Sequence, residues 1–101
     1  MTKGKRLSIY NKCNGHCAYC GVKLEINKFT VDHLVPKCNM GKNDIDNLLP
    51  CCTQCNKKKG NLSLDLFRLK TFWTVLTIAD LKSLTLAIRA ARKHLFYFEI
   101  H

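Results

Sequence analysis

The pattern of apolar and polar positions divides the chain into a front half of short strands and turns and a helical back half. Lys28-Phe29-Thr30-Val31-Asp32 alternates polar and apolar residues and includes β-branched ones, which predicts a strand closed by Pro36. Residues 37–46 are polar with Gly41 inside, so an exposed loop is expected. Asn47-Leu48-Leu49 begins a second short strand that Pro50 limits. From Thr53 a short helix can run to Lys59, with Gly60 as its C-terminal stop. Behind it the period changes. Ser63 can cap a helix through about Trp73 that buries Leu66, Leu69 and Trp73. Thr77 to Asp80 has the layout of a capping box, with Asp in place of the usual Glu or Gln. After it, Leu81, Leu84, Ile88, Ala91 and Leu95 step by three and four, an apolar stripe that predicts a helix. Lys82, Arg89 and Lys93 fall on a neighbouring stripe, either a solvated face or a nucleic-acid contact. Phe96-Tyr97-Phe98 reads as core or as a terminal clamp rather than a base-stacking platform.

Composition narrows the classes. A chain of 101 residues is one small domain, expected here over 1–101, and its 47% apolar content is too high for a disordered basic tail. The longest apolar run is the four residues from Leu95 to Phe98, so no membrane span and no membrane partner are expected. Met1-Thr2-Lys3-Gly4-Lys5-Arg6 does not lead into a hydrophobic stretch, so no signal peptide is read. The expectation is a cytoplasmic, reducing compartment, where paired cysteines more often hold metal than form disulfides. The formal charge of +10 favours a polyanion, most simply nucleic acid. Residues 1–60 carry 11 basic and 4 acidic side chains, and they also hold all seven cysteines.

Two Cys-x-x-Cys pairs, Cys17-Ala18-Tyr19-Cys20 and Cys52-Thr53-Gln54-Cys55, are the strongest chemical signal. Each pair can close two thiolates on one ion from a tight turn, and four such sulfurs satisfy tetrahedral zinc. Gly15 and Gly21 flank the first pair and suit the sharp backbone of a knuckle. A single such pair could be redox-active, but two in one basic chain favour structural zinc. Cys51 could shift the register, although only Cys52 gives two-residue spacing to Cys55. Cys13, Cys38 and Cys51 are left as free packing thiols, and His16 could replace a cysteine on the ion.

The pairs are separated by 31 residues, more than the ~15–20 of a simple zinc ribbon, so something is inserted. The insert holds Asp32-His33 at a strand end and Asn47, and Asn56 follows the last cysteine. A histidine titrates near neutrality and can take a proton from water. An aspartate supplies a hard oxygen to Mg²⁺, whose remaining positions can be filled by phosphate and water. Inside a strongly basic chain, this pairing suggests phosphodiester chemistry.

Phe29-Thr30-Val31-Asp32-His33-Leu34-Val35-Pro36, Gly41, Asn47-Leu48-Leu49 and Cys52 through Gly60 together resemble the HNH endonuclease motif with its two zinc-binding cysteine pairs. The likeness extends from about Asn14 to Gly60, and steps of 14 residues from His33 to Asn47 and nine from Asn47 to Asn56 fit the family. The third signature position is Asn56 rather than His, an HNN variant. The resemblance implies an α+β fold of the ββα-metal type, zinc-stabilised, with a motif core over 14–60 and a C-terminal helical extension over 61–101. It further implies His33 as general base, Asp32 and Asn56 as ligands of one catalytic Mg²⁺ (or Mn²⁺), and Asn47 as a brace that orients the histidine. Lys57, Lys58 and Lys59, with Lys37, are either a solvated run or contacts to DNA phosphates, the latter being favoured. The expected activity is hydrolysis of DNA, most simply double-stranded, by a stand-alone phage or mobile-element nuclease. The alternative is a zinc-stabilised nucleic-acid-binding module with no or residual nuclease activity. A protein-interaction zinc finger would explain neither the charge nor the Asp-His pair.

Overall fold

A computed structural model describes residues 1–37 and 40–101, so Cys38, expected as a packing thiol, lies outside the described residues. Two antiparallel strands, β1 (Thr30–His33) and β2 (Leu48–Cys51), form the sheet, pairing Thr30 with Cys51 and His33 with Leu48. Helix α1 (Lys3–Asn11) precedes them, and α2 (Thr53–Lys59) follows directly. Helices α3 (Leu64–Phe72), α4 (Leu84–Ala91) and α5 (Tyr97–Ile100) complete a small α+β protein.

Pro50 does not limit β2 but lies inside it, opposite Val31. Its carbonyl turns away from β1 and accepts from the Ala18 N–H at 2.9 Å. In an antiparallel strand the nitrogen of a residue faces the same side as its carbonyl, so no ladder bond is lost. The first strand also starts two residues later than its alternation suggests and takes in His33. The intervening loop ends in a 3-10 turn, Ile45–Asn47.

Helix α1 has no counterpart in the pattern analysis, because its few apolar residues are scattered among basic ones. Thr2 caps it, and the fully buried Ile9 and the Tyr10 ring, 5.4 Å from Phe29, anchor it to the core. Its cations serve the fold as well: Arg6 lies over the Phe29 ring at 3.9 Å, and Lys12 donates to the carbonyls of Ile45 and Leu48 at 2.7 Å.

Helix α2 has the expected bounds, and Gly60 ends it at φ +51°. Ser63 caps α3 as expected, but the helix buries Phe67, Arg68 and Leu69. Leu66 and Trp73 stay exposed, contrary to the apolar spacing. The capping box at Thr77 forms, with the Thr77 N–H donating to Asp80 at 3.0 Å and the Asp80 N–H to Thr77 at 3.3 Å. Only the 3-10 turn Asp80–Lys82 follows it, because Ser83 is extended and caps α4 afresh. The single helix expected after Thr77 is therefore divided. Ala87, Ala90 and Ala91 are its buried residues, and Leu81, Leu84 and Leu95 are exposed. Small alanines let α4 approach Leu69 of α3 closely.

The main core runs from Ile9 through Tyr19, Phe29, Leu48 and Leu49 to Phe67 and Phe96. Residues 96–98 are a clamp, as the aromatic cluster suggests: the Tyr97 N–H donates to Tyr19 O and the Phe98 N–H to Ala18 O. Arg68 locks the clamp from α3, pairing its two terminal guanidinium nitrogens with Glu99 at 2.5 and 2.8 Å.

Candidate functional site

The sharp turn of Cys17 to Cys20 depends on glycines. Gly15 and Gly21 have φ of +81° and +79°, and a Cβ at Gly21 would meet the Tyr97 ring at 2.8 Å. The Cys17 N–H donates to Val22 O at 2.8 Å, and the Gly21 N–H to Cys17 O at 3.0 Å. The second pair comes from the start of α2, where Cys52 is the N-cap and its sulfur accepts from the Cys55 N–H. Sulfurs of Cys17, Cys20, Cys52 and Cys55 all lie within 4.8 Å of one another, with Cys20 and Cys52 3.8 Å apart. A tetrahedron with Zn–S bonds of about 2.3 Å has edges of about 3.8 Å, so the four sulfurs fit a tetrahedral ion. Burial raises the Cys20 and Cys55 thiols. Burial also acts to raise Cys52, but hydrogen bonds from Cys55 and the neighbouring thiols outweigh it and bring that thiol below its ordinary value. His16 is not in the cluster; its Nδ1 lies 3.0 Å from Gly21 O, bracing the turn.

Cys13 and Cys51 pack in the core, as expected of them. Burial pushes the Cys51 thiol up to about 12, which keeps it protonated.

A cleft of about 210 Å³ opens between the end of β1 and α2, bordered by Asp32, His33, Lys37, Asn56 and Asn61. The end of β1 and the α2 helix thus bring together Asp32, His33 and Asn56, although Asn56 follows His33 by 23 positions. Asp32 is 5% exposed, and its Oδ2 accepts from the Tyr19 hydroxyl and pairs with Lys59 Nζ at 3.0 Å. Burial first, then the Asp32 carboxylate, push the Tyr19 phenol well above its ordinary range, so it remains the donor.

His33 is half-buried, with Nε2 2.8 Å from the Asn43 side-chain oxygen. An amide oxygen only accepts, so with this amide orientation Nε2 carries the proton and Nδ1 the free lone pair. Asn43 is a site residue that the motif spacing does not reveal; a polar side chain in a polar loop gives no local signal. Asn47 stands outside the cleft. Its Oδ1 accepts from the Val35 N–H at 2.8 Å, and its Nδ2 donates to Val35 O and Lys42 O at 3.1 and 2.8 Å. It therefore braces the loop after His33, and the hydrogen bond to the imidazole falls to Asn43.

The lysine run splits. Lys57 and Lys58 are exposed on α2, and Lys37 is exposed at the cleft. Lys59 is corrected: its side chain is fully buried, bound to Asp32 and donating to His33 O at 2.8 Å, so it offers no surface to a phosphate. Lys59 and Cys55, one turn apart, are the buried residues of α2. A second cleft of about 380 Å³ also borders His33 and is lined by Lys5, Lys37 and Asn43, with Lys5 donating to Asn43 O at 2.7 Å.

A two-stranded antiparallel sheet crossed by a helix, with four converging cysteines beside an Asp-His-Asn cleft, defines a ββα metal-site protein. The chain matches the HNH endonuclease family model over residues 17–62. Over 49 residues it is 41% identical to the CRISPR-associated endonuclease Cas9 of Corynebacterium diphtheriae, covering 48% of this chain and 4% of that protein. It is 32% identical over 71 residues to the SPbeta prophage-derived protein YoqL of Bacillus subtilis, named as a candidate HNH endonuclease, covering 55% of this chain and 30% of that one. The chain thus spans less than a third of either relative. A crystal structure of the type II-C Cas9 enzyme from Actinomyces naeslundii shares the fold, with a TM-score of 0.57 at 18% identity over 95% of this chain and 12% of that one. Among the described residues no helix is long and apolar enough to cross a membrane.

Proposed function

We propose that this chain, acting as one unit over 1–101, is a metal-dependent endonuclease that nicks or cleaves DNA by hydrolysing phosphodiester bonds. The observation that carries the reading is the convergence of Asp32, His33 and Asn56 on one cleft. His33 takes the proton of the attacking water on Nδ1 while Asn43 holds its other nitrogen. Asp32 contributes a carboxylate oxygen and Asn56 an amide oxygen, a hard donor pair that fits Mg²⁺ or Mn²⁺, since such ions take few protein ligands and fill the rest with water and phosphate. When bound there, the divalent ion would neutralise the phosphate and stabilise the leaving 3′ oxygen. Asn47 keeps the loop beside His33 closed. Structural zinc on Cys17, Cys20, Cys52 and Cys55 would fix the start of α2, which carries Asn56.

Exposed Lys37, Lys57 and Lys58 supply the cations for a double-stranded DNA backbone. The similarity to a prophage-derived protein supports a phage or mobile-element nuclease. Incubating the protein with supercoiled plasmid and Mg²⁺, beside His33→Ala, tests the activity. Relaxed or linear product from the wild type alone is expected. Intact plasmid in both, with Mg²⁺ or Mn²⁺ at neutral pH, would favour a zinc-stabilised binding module instead.

A further inference from the structure

We infer that Tyr19 is a positioning residue: its hydroxyl ties the orientation of the Asp32 carboxylate to the four-cysteine knuckle and to the aromatic C-terminal segment. The inference rests on the reading of Asp32 as a ligand of the divalent ion. Tyr19 lies between Cys17 and Cys20, so the turn that gathers the sulfurs also fixes its backbone. Its ring is held on several sides, edge-on to Phe67 at 5.0 Å, Phe96 at 5.1 Å and Phe98 at 6.1 Å. The chain carrying two of those rings is itself bonded to the knuckle, with the Tyr97 N–H on Tyr19 O at 3.2 Å and the Phe98 N–H on Ala18 O at 2.8 Å. The ring is 5% exposed, and its hydroxyl donates to Asp32 Oδ2.

A strand carboxylate can swing about its terminal torsion, and what it offers to a cleft depends on what holds it. Lys59 alone would not fix that plane, since an ammonium presents three equivalent donors on a flexible stem and also serves His33 O. The Tyr19 hydroxyl is different, because it comes from a rigid ring in one direction. Together the two donors occupy Oδ2, leaving Oδ1 as the atom for a cation. Groups that orient a metal ligand in this way are worth about 10–100-fold in metal affinity. This gives the C-terminal extension a task at the site: it holds the ring that holds the carboxylate. A tyrosine that served only to fill the core would act through its ring, and the hydroxyl would be dispensable.

Tyr19→Phe separates the two roles, because it keeps the ring and removes the hydroxyl. Mn²⁺ binding to the zinc-loaded full chain, followed by electron paramagnetic resonance, is the readout, with zinc content and circular dichroism as controls of the fold. We expect Mn²⁺ to bind at least about tenfold more weakly in Y19F with both controls unchanged. Wild-type Mn²⁺ affinity in folded Y19F would overturn the inference. Asp32→Asn in parallel tests the underlying reading: if D32N also binds Mn²⁺ normally, Asp32 is not a ligand and the reading of the site fails. If D32N loses Mn²⁺ and Y19F does not, only the role of Tyr19 fails. Should Y19F not fold, Phe98→Leu decides, since it keeps the hydroxyl and loosens the ring; weakened Mn²⁺ binding at normal zinc content is expected, and unchanged binding overturns the inference.

Discussion

Lys59 Nζ and Asp32 Oδ2 form an ion pair 3.0 Å apart inside the protein, with 0% and 5% of their side chains exposed. Removing two charges from water is costly, and the pair is sustained because each partner has further hydrogen bonds, Lys59 to His33 O and Asp32 from Tyr19. The third lysine of a basic run thus belongs to the interior. Deleting it strands a buried carboxylate.

Lys59→Ala should therefore lower stability by about 3–5 kcal/mol. Lys57→Ala with Lys58→Ala, on the exposed side of the same helix, should change stability by no more than about 0.5 kcal/mol per site. The double variant should instead flatten the salt dependence of DNA binding, by about 0.9 in slope for each phosphate it no longer neutralises. Urea unfolding and affinity measured over a salt series distinguish the two. Equal stability losses in both variants would contradict the division of the run.

If the four sulfurs hold zinc, the protein should contain one ion per chain and unfold when it is removed. Zinc sites in small peptides supply about 10–16 kcal/mol, comparable to the whole stability of a domain this size. Cys52→Ser removes a zinc ligand while keeping an N-cap acceptor for α2, so the expected loss of the folded circular dichroism spectrum reports the metal site and not the cap. Elemental analysis that finds well-folded protein without zinc would sink this prediction.

His33→Ala should cut plasmid cleavage by about 10²–10⁴-fold, the range of general base catalysis, while DNA affinity stays within a few-fold. His33 is not among the clustered cysteines, so the knuckle should be unaffected. Asp32→Ala and Asn56→Ala should also lose cleavage, but raised Mn²⁺ should partly restore it, as it cannot for a missing base. Cleavage rates across a Mn²⁺ titration check the contrast.

Asn43→Ala should reduce cleavage by about tenfold, less than loss of the base itself, because the imidazole is free to turn but remains present. Asn47→Ala should act differently, removing three hydrogen bonds that close the loop between Val35 and Lys42. Hydrogen exchange in that loop should rise in Asn47→Ala and stay near wild type in Asn43→Ala.

The Arg68–Glu99 pair predicts a pH signature. Burial acts to raise the Glu99 carboxyl, but hydrogen bonds from Arg68 and the Phe96 N–H outweigh it and hold it below its usual value of 4.5. A depressed folded-state value stabilises the fold above the ordinary carboxylate range and loses that stabilisation as pH falls through the folded value. The stability difference between wild type and Glu99→Gln should thus be full near pH 7 and shrink below about pH 4.5. Unfolding of the two proteins over that range measures it; a constant difference would exclude the linkage.

The residues that converge at the candidate site were largely legible in the chain. Cys17, Cys20, Cys52 and Cys55 announce themselves because ligand pairs on tight turns have fixed spacing, and the structure gathers their sulfurs. Asp32-His33 and Asn56 stand at spacings that resemble the HNH motif, and one cleft joins them. Helix α2 had its start and stop in Thr53 and Gly60. These features are local: a cap, a glycine or a two-residue spacing acts on backbone close in sequence. Burial is not local, and there the pattern misleads. Leu84 and Leu95 lie on a regular stripe yet are exposed, since α4 presents alanines where α3 comes near. Ile9 makes a helix of a basic segment by docking on the core. Three adjacent lysines look alike in sequence, but a helix turns by about 100° per residue and sends Lys59 inward to Asp32. Asn43 and Tyr19 owe their places beside His33 and Asp32 to hydrogen bonds across 10 and 13 residues. Residue types and their spacing name the groups able to do chemistry, whereas packing selects those that face the cleft, because a side chain's direction depends on what lies behind it.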